Sequence, residues 1–330
     1  MTLFAPDRFR KSVEDAAARI RPDVLTTPLV AAEELGRLSE ARVFLKAEYA
    51  QPTGSFKVRG AVNKVRLLEG EALGRGIVSA STGNHGLATA FAARLAGASL
   101  ILFVPESISP EKKRRLLAAD GVDLRPVAGS CEQAEIRARR FAAESGRVFV
   151  SPYNDPDIVF GQGTAGLEVL EALPGVDDVV VPVGGGGLIA GVAGFLNATK
   201  PNVRVFGVEP VNSRFMSESV KAGRLVEVEE RETLADAVAG GVEPGSLTFP
   251  LVQRLVDDIL LVEEELIAQS MTLIHETLGA VVEGAGSLAV AGLLAAPGLF
   301  RGRTVVLVGS GGNVLPELHR RIVAPAESRS

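Results

Sequence analysis

The chain contains four consecutive glycines, Gly184–Gly187, at the junction of a predicted apolar strand and a predicted helix. The strand is predicted over Asp178–Val183 and the helix over Leu188–Thr199. Glycines at such a junction let the backbone approach an anion closely, and their N–H groups add to the positive N-terminal end of the helix dipole. The run predicts a phosphate-binding loop in an α/β fold, with a purely structural glycine turn as the alternative.

Strands and helices alternate along most of the sequence. The main predicted strands lie at 42–48, 76–80, 99–104, 122–126, 148–151, 178–183, 203–208 and 304–308. Such strand–helix–strand units predict an α/β fold with two open, twisted, mostly parallel sheets and helices on both faces. We expect residues 1–75 and 152–330 to form a large domain, with a small α/β domain inserted at 76–151.

Several local predictions accompany this pattern. Helices are expected over Glu111–Ala119 and Gly161–Leu173. The stretch Ser213–Arg231 is polar, with clusters of Glu and Arg, and is predicted to be irregular. After Asn313 the chain soon ends, so we expect no second C-terminal domain.

Composition narrows the class of protein. Of 330 residues, 46% are hydrophobic and 23% are charged, which is typical of a globular protein. The net charge of −5 gives no basic surface for nucleic acid, and the apolar stretches are too short or too interrupted to span a membrane. There is no signal-peptide pattern, and the single cysteine, Cys131, excludes an internal disulfide. We expect a soluble, cytoplasmic protein that binds a small molecule.

Lys57 lies just after a Pro-Thr-Gly turn and just before a helical pattern. Ser55 is the predicted N-cap of that helix, which places Lys57 in the first turn. The helix dipole disfavours an ammonium there, so the position gives the charge no structural advantage. It suits an amine that is neutral or bound in a Schiff base, and a solvated surface lysine is the alternative.

Two other loops follow predicted strands. Residues 81–86, Ser-Thr-Gly-Asn-His-Gly, offer amides and hydroxyls that suit a small carboxylate at a helix N-terminus. The alternatives are a turn residue for Asn84 and a structural histidine for His85. Ser310 presents a hydroxyl at the carboxyl edge of the sheet, where ligands of open α/β folds collect, with a helix N-cap as the alternative.

A dinucleotide-binding site is a competing interpretation of the glycine run. Gly185, Gly187 and Ala190 fit a relaxed fingerprint, and Glu209 ends the next strand about twenty residues further on. This hypothesis predicts an NAD-dependent oxidoreductase. It gives no role to Lys57 or to the loops at 81–86 and 309–313.

Taken together, five segments resemble the fold type II enzymes that depend on pyridoxal 5′-phosphate (PLP), in particular the serine/threonine dehydratase and serine racemase group. The segments are Pro-Thr-Gly-Ser-Phe-Lys-x-Arg-Gly-Ala at 52–61, Ser-Thr-Gly-Asn-His-Gly at 81–86, Gly-Gln-Gly-Thr at 161–164, Pro-Val-Gly-Gly-Gly-Gly at 182–187 and Ser-Gly-Gly-Asn at 310–313. They occur in the family's order over nearly the whole chain. The resemblance implies the tryptophan synthase β-like fold and PLP as the cofactor.

The resemblance also implies how the cofactor is held. Lys57 matches the lysine that carries PLP as a Schiff base. The loop that binds the cofactor phosphate in this family is matched by the four glycines Gly184, Gly185, Gly186 and Gly187.

Three further residues match positions around the cofactor ring. Asn84 matches the asparagine that hydrogen-bonds the 3-hydroxyl, and Phe56 would lie against the ring. Ser310 matches the residue that faces the pyridine nitrogen. A neutral serine there holds no proton on the nitrogen, which favours prompt loss of a β-hydroxyl over transamination.

The substrate carboxylate would bind to the loop formed by Ser81, Thr82, Gly83 and His85. Lys57 would then act as the general base at the α-carbon. Serine racemases carry a serine where this chain has Thr82, and threonine dehydratases often have alanine there. Thr82 keeps a hydroxyl that could deliver a proton to the opposite face of the α-carbon, so racemase side activity is an open alternative.

A divalent cation, Mg²⁺ or Ca²⁺, is bound in racemase-like relatives by a glutamate and a nearby aspartate. Glu209 matches the glutamate, but residues 210–215 supply no second carboxylate. Cations of this kind need several oxygen ligands. The alternatives are a strand-end acid for Glu209 and Arg214 in the space of the ion.

The leading hypothesis is therefore a PLP-dependent dehydratase, or ammonia-lyase, acting on a β-hydroxy amino acid such as L-threonine, L-serine or 3-hydroxyaspartate. A serine or aspartate racemase is the closest alternative. An NAD-dependent oxidoreductase and a non-catalytic amino-acid-binding protein are alternatives from other classes. The resemblance further implies a homodimer.

Overall fold

The structure is a computed structural model that describes residues 2–118 and 121–324. Met1 and residues 325–330, at the two ends of the predicted large domain, lie outside the described residues. Within them, two sheets carry the fold, with six and four strands. The predicted α/β class is therefore confirmed.

The strands are numbered in chain order. They are β1 (Leu29–Ala31), β2 (Arg42–Lys46), β3 (Ile77–Ala80), β4 (Leu100–Pro105), β5 (Val122–Val127), β6 (Val148–Phe149), β7 (Asp178–Pro182), β8 (Arg204–Pro210), β9 (Asp258–Val262) and β10 (Thr304–Val308).

The α-helices are numbered in the same way. They are α1 (Pro6–Ile20), α2 (Glu33–Ser39), α3 (Lys57–Arg66), α4 (Gly70–Arg75), α5 (Asn84–Ala96), α6 (Pro110–Leu117), α7 (Cys131–Ser145), α8 (Pro156–Ala172), α9 (Gly187–Thr199), α10 (Phe215–Ala222), α11 (Thr248–Leu255), α12 (Glu264–Leu278), α13 (Gly284–Ala295) and α14 (Pro316–Val323). Short 3₁₀ helices lie at Thr2–Phe4, Glu48–Ala50 and Pro297–Phe300. No helix in the described part of the chain is long and apolar enough to cross a membrane.

The large sheet has the strand order β1-β2-β10-β7-β8-β9. Its strands pair in parallel except for β1, which is antiparallel to β2. Alternate residues of β10 enter two hydrophobic cores: Val306 and Val308 pack with α1, α8, α9 and α11, whereas Val305 and Leu307 pack with α2, α12 and α13. A strand with helices on both faces is apolar throughout, which explains why β10 is readily predicted from the sequence.

The small sheet has the order β5-β4-β3-β6, and all its pairs are parallel. Leu100 and Leu102 of β4 pack with α3 and α5, while Ile101 and Phe103 pack with α7 on the other face. All four strands fall within residues 76–151. The assignment of that range as an inserted domain stays a prediction.

Three local predictions differ from the structure. Helix α8 begins at Pro156, not Gly161, because the side chain of Asp155 accepts the first-turn amides of the helix and proline suits the first position. The stretch predicted as irregular contains α10 (Phe215–Ala222). Strand β9 (Asp258–Val262) is absent from the sequence-based prediction.

The predicted helix over Glu111–Ala119 is observed as α6, Pro110–Leu117, with Ser109 as its cap. Ala119, the predicted last residue, lies outside the described residues.

A buried ion-pair network lies beneath the start of α3. The Arg59 guanidinium has no exposed surface and donates to both carboxylate oxygens of Glu48, at 2.7 and 2.8 Å, and to both of Glu168, at 2.7 Å each. Lys46 donates to Glu168 at 2.5 Å and to the Thr27 carbonyl at 2.6 Å. Two cations and two anions are thus paired within the described core, and the network joins β2, the Glu48 segment, α3 and α8.

Replacing Arg59 with methionine should destabilise the protein by about 3–5 kcal/mol, because the buried Glu48 carboxylate and the largely buried Glu168 carboxylate would lose their main partner. The measurement is urea unfolding of the two proteins. Arg301→Met is the matched control, since Arg301 pairs with Glu40 at the exposed surface and should change stability little. An Arg59→Met variant as stable as the Arg301→Met control would contradict this account of the core.

Candidate active site

A cavity lies beyond the carboxyl ends of β7 and β10, where parallel sheets commonly bind ligands. Most of the side chains and backbone segments predicted to hold a cofactor meet there. The lining residues are Phe56, Lys57, Asn84, Tyr153, Pro182, Gly184, Gly185, Gly186, Gly187, Leu188, Ala237, Val238, Glu283, Ala285 and Ser310.

Lys57 is the first residue of α3, as the sequence predicts. Its amine donates to the carbonyl of Pro152 at 2.8 Å and lies 5.3 Å from the centre of the Phe56 ring. Burial lowers the pKa of the Lys57 amine to about 8, against the opposing effect of Glu135 and Glu283. About one tenth of the amine is therefore neutral at pH 7, far more than in an ordinary lysine, and able to attack a carbonyl.

The predicted N-cap at Ser55 is wrong. Phe56 holds the N-cap position and makes no side-chain cap, and the buried Ser55 hydroxyl has no hydrogen-bond partner in the described structure. The turn is fixed by backbone pairing instead. The Phe56 amide donates to the Ser310 carbonyl at 3.0 Å, and Ser55 forms an antiparallel bridge with Gly311. This pairing brings Lys57 and Ser310 to the same cavity.

The glycine run forms the connection between β7 and α9, and its amides lie at the N-terminus of that helix. Gly186 has a φ of 81°, in the left-handed region that glycine adopts without strain. A Cβ on Gly184 would lie 2.8 Å from the carbonyl oxygen of Val238, and one on Gly185 would overlap the Tyr153 ring. Larger residues do not fit, and the loop suits a phosphate group.

Asn84 and Ser310 are both nearly buried at the cavity wall, with 8% and 4% of their surface exposed. Asn84 begins α5, and its amide nitrogen donates to Glu283 at 2.6 Å. The Ser310 hydroxyl donates to the Ala285 carbonyl at 3.3 Å. Neither residue is a solvated turn residue, and both line the cavity.

The structure does not bring Ser81, Thr82, Gly83 or His85 to the cavity wall. Ser81 instead accepts a hydrogen bond from the Gly83 amide at 3.2 Å. Their role in binding a substrate carboxylate stays a prediction.

His85 is buried within the small-sheet side of the protein. Its Nε2 lies 3.0 Å from the Val150 carbonyl, which is an acceptor, so the nitrogen donates there. Burial, with a further contribution from Lys57, lowers the pKa of His85 to about 3. The side chain is therefore neutral, and its contact with Val150 matches the structural alternative.

Glu209 caps a helix. Its two carboxylate oxygens accept the amides of Met216 and Ser217, at 2.9 and 2.8 Å, in the first turn of α10. Burial raises its pKa to about 7. Arg214 pairs with Glu218 at 3.8 Å. No group of three or more His, Cys, Asp or Glu in the described residues is arranged to hold a metal ion.

Sequence reasoning missed two residues with polar side chains at the cavity wall, Tyr153 and Glu283. Tyr153 packs against Gly185, and its hydroxyl accepts the Glu243 amide at 2.9 Å. Glu283 is the only charged residue between positions 280 and 295, and it is 6% exposed. An isolated acid in an apolar segment is the signal that could have identified Glu283.

The residues at the cavity fit PLP. The Lys57 amine can bond to its aldehyde, the side-chain-free amides of the glycine loop suit its phosphate, and the Ser310 hydroxyl suits its ring nitrogen. The fold and the site thus define an α/β protein built to bind a phosphorylated carbonyl compound through a lysine.

Comparisons with known proteins identify the family. Residues 20–311 match the family described as "Pyridoxal-phosphate dependent enzyme". The chain is 39% identical over 316 residues to an L-threonine ammonia-lyase of Thermotoga maritima, covering 95% of this chain and 77% of that protein. It is 35% identical over 308 residues to a serine racemase of Arabidopsis thaliana, covering 92% of each.

Solved structures give the same result. The processed form of threonine deaminase isoform 2 from Solanum lycopersicum superposes with a TM-score of 0.90 and 30% identity, covering 96% of this chain and 92% of that one. The chain belongs to the family of PLP-dependent enzymes, as its motifs predict. The dinucleotide interpretation loses its support, because Glu209 is engaged in capping α10.

The low pKa of Lys57 predicts how the apoprotein takes up PLP. Only the neutral amine attacks the aldehyde, so the rate of Schiff-base formation should rise with pH and level off above about pH 8. For an ordinary lysine, with a pKa of about 10.4, the rate would keep rising up to about that pH. About one tenth of the amines would already be neutral at pH 7. The measurement is the growth of the visible absorption band after PLP is added across a pH series.

Lys57→Ala serves as the control, because it removes the reacting amine and should give no such band. A wild-type rate that continues to rise up to pH 10 would contradict the lowered pKa.

Proposed function

We propose that this enzyme is an ammonia-lyase that removes water and ammonia from a β-hydroxy amino acid, converting L-threonine to 2-oxobutyrate and L-serine to pyruvate. The observation that carries the proposal is the shared cavity of the Lys57 amine, the Gly184–Gly187 loop and the Ser310 hydroxyl. The similarity to threonine ammonia-lyases over most of the chain supports the same reaction.

When bound, PLP supplies an electron sink for the bonds at the substrate's α-carbon. Lys57 holds the cofactor and then serves as the base that accepts the α-proton. Its lowered pKa suits this task, because the amine is free to take a proton near neutral pH. The substrate's hydroxyl leaves as water, and hydrolysis of the remaining product gives a 2-oxo acid and ammonia.

The neutral partner at the ring nitrogen directs the outcome. The Ser310 hydroxyl donates to the Ala285 carbonyl at 3.3 Å, and turning that single proton to the ring nitrogen would let it hydrogen-bond the nitrogen in its unprotonated form. A partner without charge does not stabilise a protonated ring nitrogen. Without that extra charge the site favours elimination, which removes the developing negative charge at once.

The glycine loop and the wall around it position the cofactor. Its backbone amides hold the phosphate at the N-terminus of α9, and Tyr153 and Val238 close the space over Gly185 and Gly184. The roles of Ser81, Thr82, Gly83 and His85 in binding the substrate carboxylate form part of this proposal, and they rest on the resemblance alone.

Serine racemisation is the second candidate, and the similarity to a plant serine racemase favours it. In that reaction Thr82 would return a proton to the opposite face of the α-carbon from Lys57. Thr82→Ala should then lower the yield of D-serine more than the yield of pyruvate.

We propose a cytoplasmic homodimer as the working form, on the strength of the resemblance. Both carboxylate oxygens of Glu209 already accept amides of α10, and residues 210–215 supply no second carboxylate for a divalent cation. We therefore propose that turnover does not depend on added Mg²⁺ or Ca²⁺.

The test is to incubate the PLP-loaded protein with L-threonine, L-serine and 3-hydroxyaspartate and to assay 2-oxo acid and ammonia. Lys57→Ala should keep its fold and lose turnover by at least about 10²–10⁴-fold, the usual contribution of a general base. Lys221→Ala is the control, because Lys221 is an exposed lysine on α10.

Turnover by Lys57→Ala close to that of the wild type would contradict the role of Lys57 as the base. A PLP-loaded protein that forms no 2-oxo acid from any of the three substrates would contradict the lyase proposal, and D-serine formed from L-serine would then favour the racemase.

A further inference from the structure

Glu283 is a carboxyl group at the cavity wall to which the proposed reaction assigns no role. It precedes α13 and is 6% exposed. Its amide donates to the Gly311 carbonyl at 3.1 Å, and a Cβ on Gly311 would overlap its Oε1. The carboxylate is thus packed directly against the loop that follows β10.

A chain of three hydrogen bonds runs across this wall. The Asn313 amide nitrogen donates to the Thr53 carbonyl at 2.8 Å and to the Asn84 Oδ1 at 2.7 Å. The Asn84 Nδ2 then donates to the Glu283 Oε1 at 2.6 Å. The chain joins the Lys57 loop, the start of α5 and the start of α13.

The direction of this chain follows from its two ends. A backbone carbonyl such as that of Thr53 only accepts, so the Asn313 atom next to it is the nitrogen, and both of that nitrogen's hydrogens are used. Asn84 must therefore turn its oxygen to Asn313 and its nitrogen to Glu283. Burial raises the pKa of Glu283 to about 7, and in its ionised form the group only accepts, so the second end agrees with the first.

The second N–H of the Asn84 side chain has no acceptor among the residues that the structure describes, and Asn84 lines the cavity. A fixed N–H donor stabilises an oxygen that carries negative charge. The 3-hydroxyl of PLP is the oxygen that the proposed function assigns to Asn84.

We propose that Glu283 and Asn313 are positioning residues that lock the Asn84 amide with its nitrogen available to the cofactor, so that the cofactor's ring hydroxyl is held in its deprotonated form. This inference rests on the proposed function for the contact between Asn84 and the cofactor. Glu283 and Asn313 act only through Asn84.

The test uses two near-isosteric substitutions with opposite expected results. Asn313→Asp keeps the shape but removes the donor, so neither the Thr53 carbonyl nor the Asn84 oxygen keeps its partner. Glu283→Gln keeps an oxygen that can accept from Asn84. Glu283→Leu removes the acceptor and serves as a second loss variant.

The first readout is the absorption spectrum of the bound cofactor, in which the deprotonated ring hydroxyl gives the visible band and the neutral protonated form gives a near-ultraviolet band. Asn313→Asp and Glu283→Leu should lower the ratio of the two bands about tenfold, the effect expected for losing one hydrogen bond to a charged group. Glu283→Gln should keep a ratio close to that of the wild type.

The second readout is the dissociation constant of PLP, from titration of the apoprotein. Asn313→Asp should weaken binding about tenfold. Asn212→Asp is the matched control, because Asn212 also donates to a backbone carbonyl, that of Glu232, and neither residue lines the cavity. It should leave both the spectrum and the affinity unchanged.

An unchanged band ratio in Asn313→Asp would overturn the proposal, as would an equal loss in Glu283→Gln and Glu283→Leu. In either case a wild-type protein with a visible band that Lys57→Ala lacks would leave the proposed function intact. A wild-type protein that forms no visible band with PLP would overturn both.

Discussion

The buried pairing of Arg59 with Glu48 and Glu168 is the constraint on which the rest of the structure depends. A guanidinium without access to water is tolerable only when its charge and its hydrogen-bond donors are matched, and here both carboxylates bind it through both oxygens. Because its partners lie on other elements, this one side chain fixes α3 against α8 and the segment after β2. Lys57, two residues before Arg59, is held by the same anchor.

The anchor also supports the chemistry proposed for Lys57. A helix start fixed by buried ion pairs needs neither a side-chain cap nor a solvated lysine, so the Lys57 amine can lie inside the protein with a lowered pKa. Backbone pairing between Ser55 and Gly311 then brings the loop after β10 to the same place. The glycine loop arrives from β7, the strand next to β10 in the sheet. The parallel neighbours β2, β10 and β7 thus lead to the Lys57 amine, Ser310 and the glycine loop at one edge of the sheet.

The sequence predicts those features whose cause is local. Strand β10 is predicted over its observed range because a strand with helices on both faces is apolar throughout. The glycine loop is predicted because the tight space around its backbone requires glycine, and four consecutive glycines are visible in the sequence. Helix α10 was missed because its first turn is capped by Glu209, which precedes it by several residues on β8. Glu283 was missed because its partner Asn84 is 199 residues away. The acceptor that binds the His85 ring, the Val150 carbonyl, is likewise distant in sequence, and no local pattern indicates that contact.

The central claim is that Lys57 carries the cofactor, and borohydride reduction tests it most directly. The reagent converts a lysine Schiff base with PLP into a stable secondary amine, which peptide mapping by mass spectrometry can locate. The account predicts loss of the visible band and a single modified peptide that contains Lys57, with no modification in Lys57→Ala. A modified lysine at another position, or no PLP adduct in the wild-type protein, would contradict it.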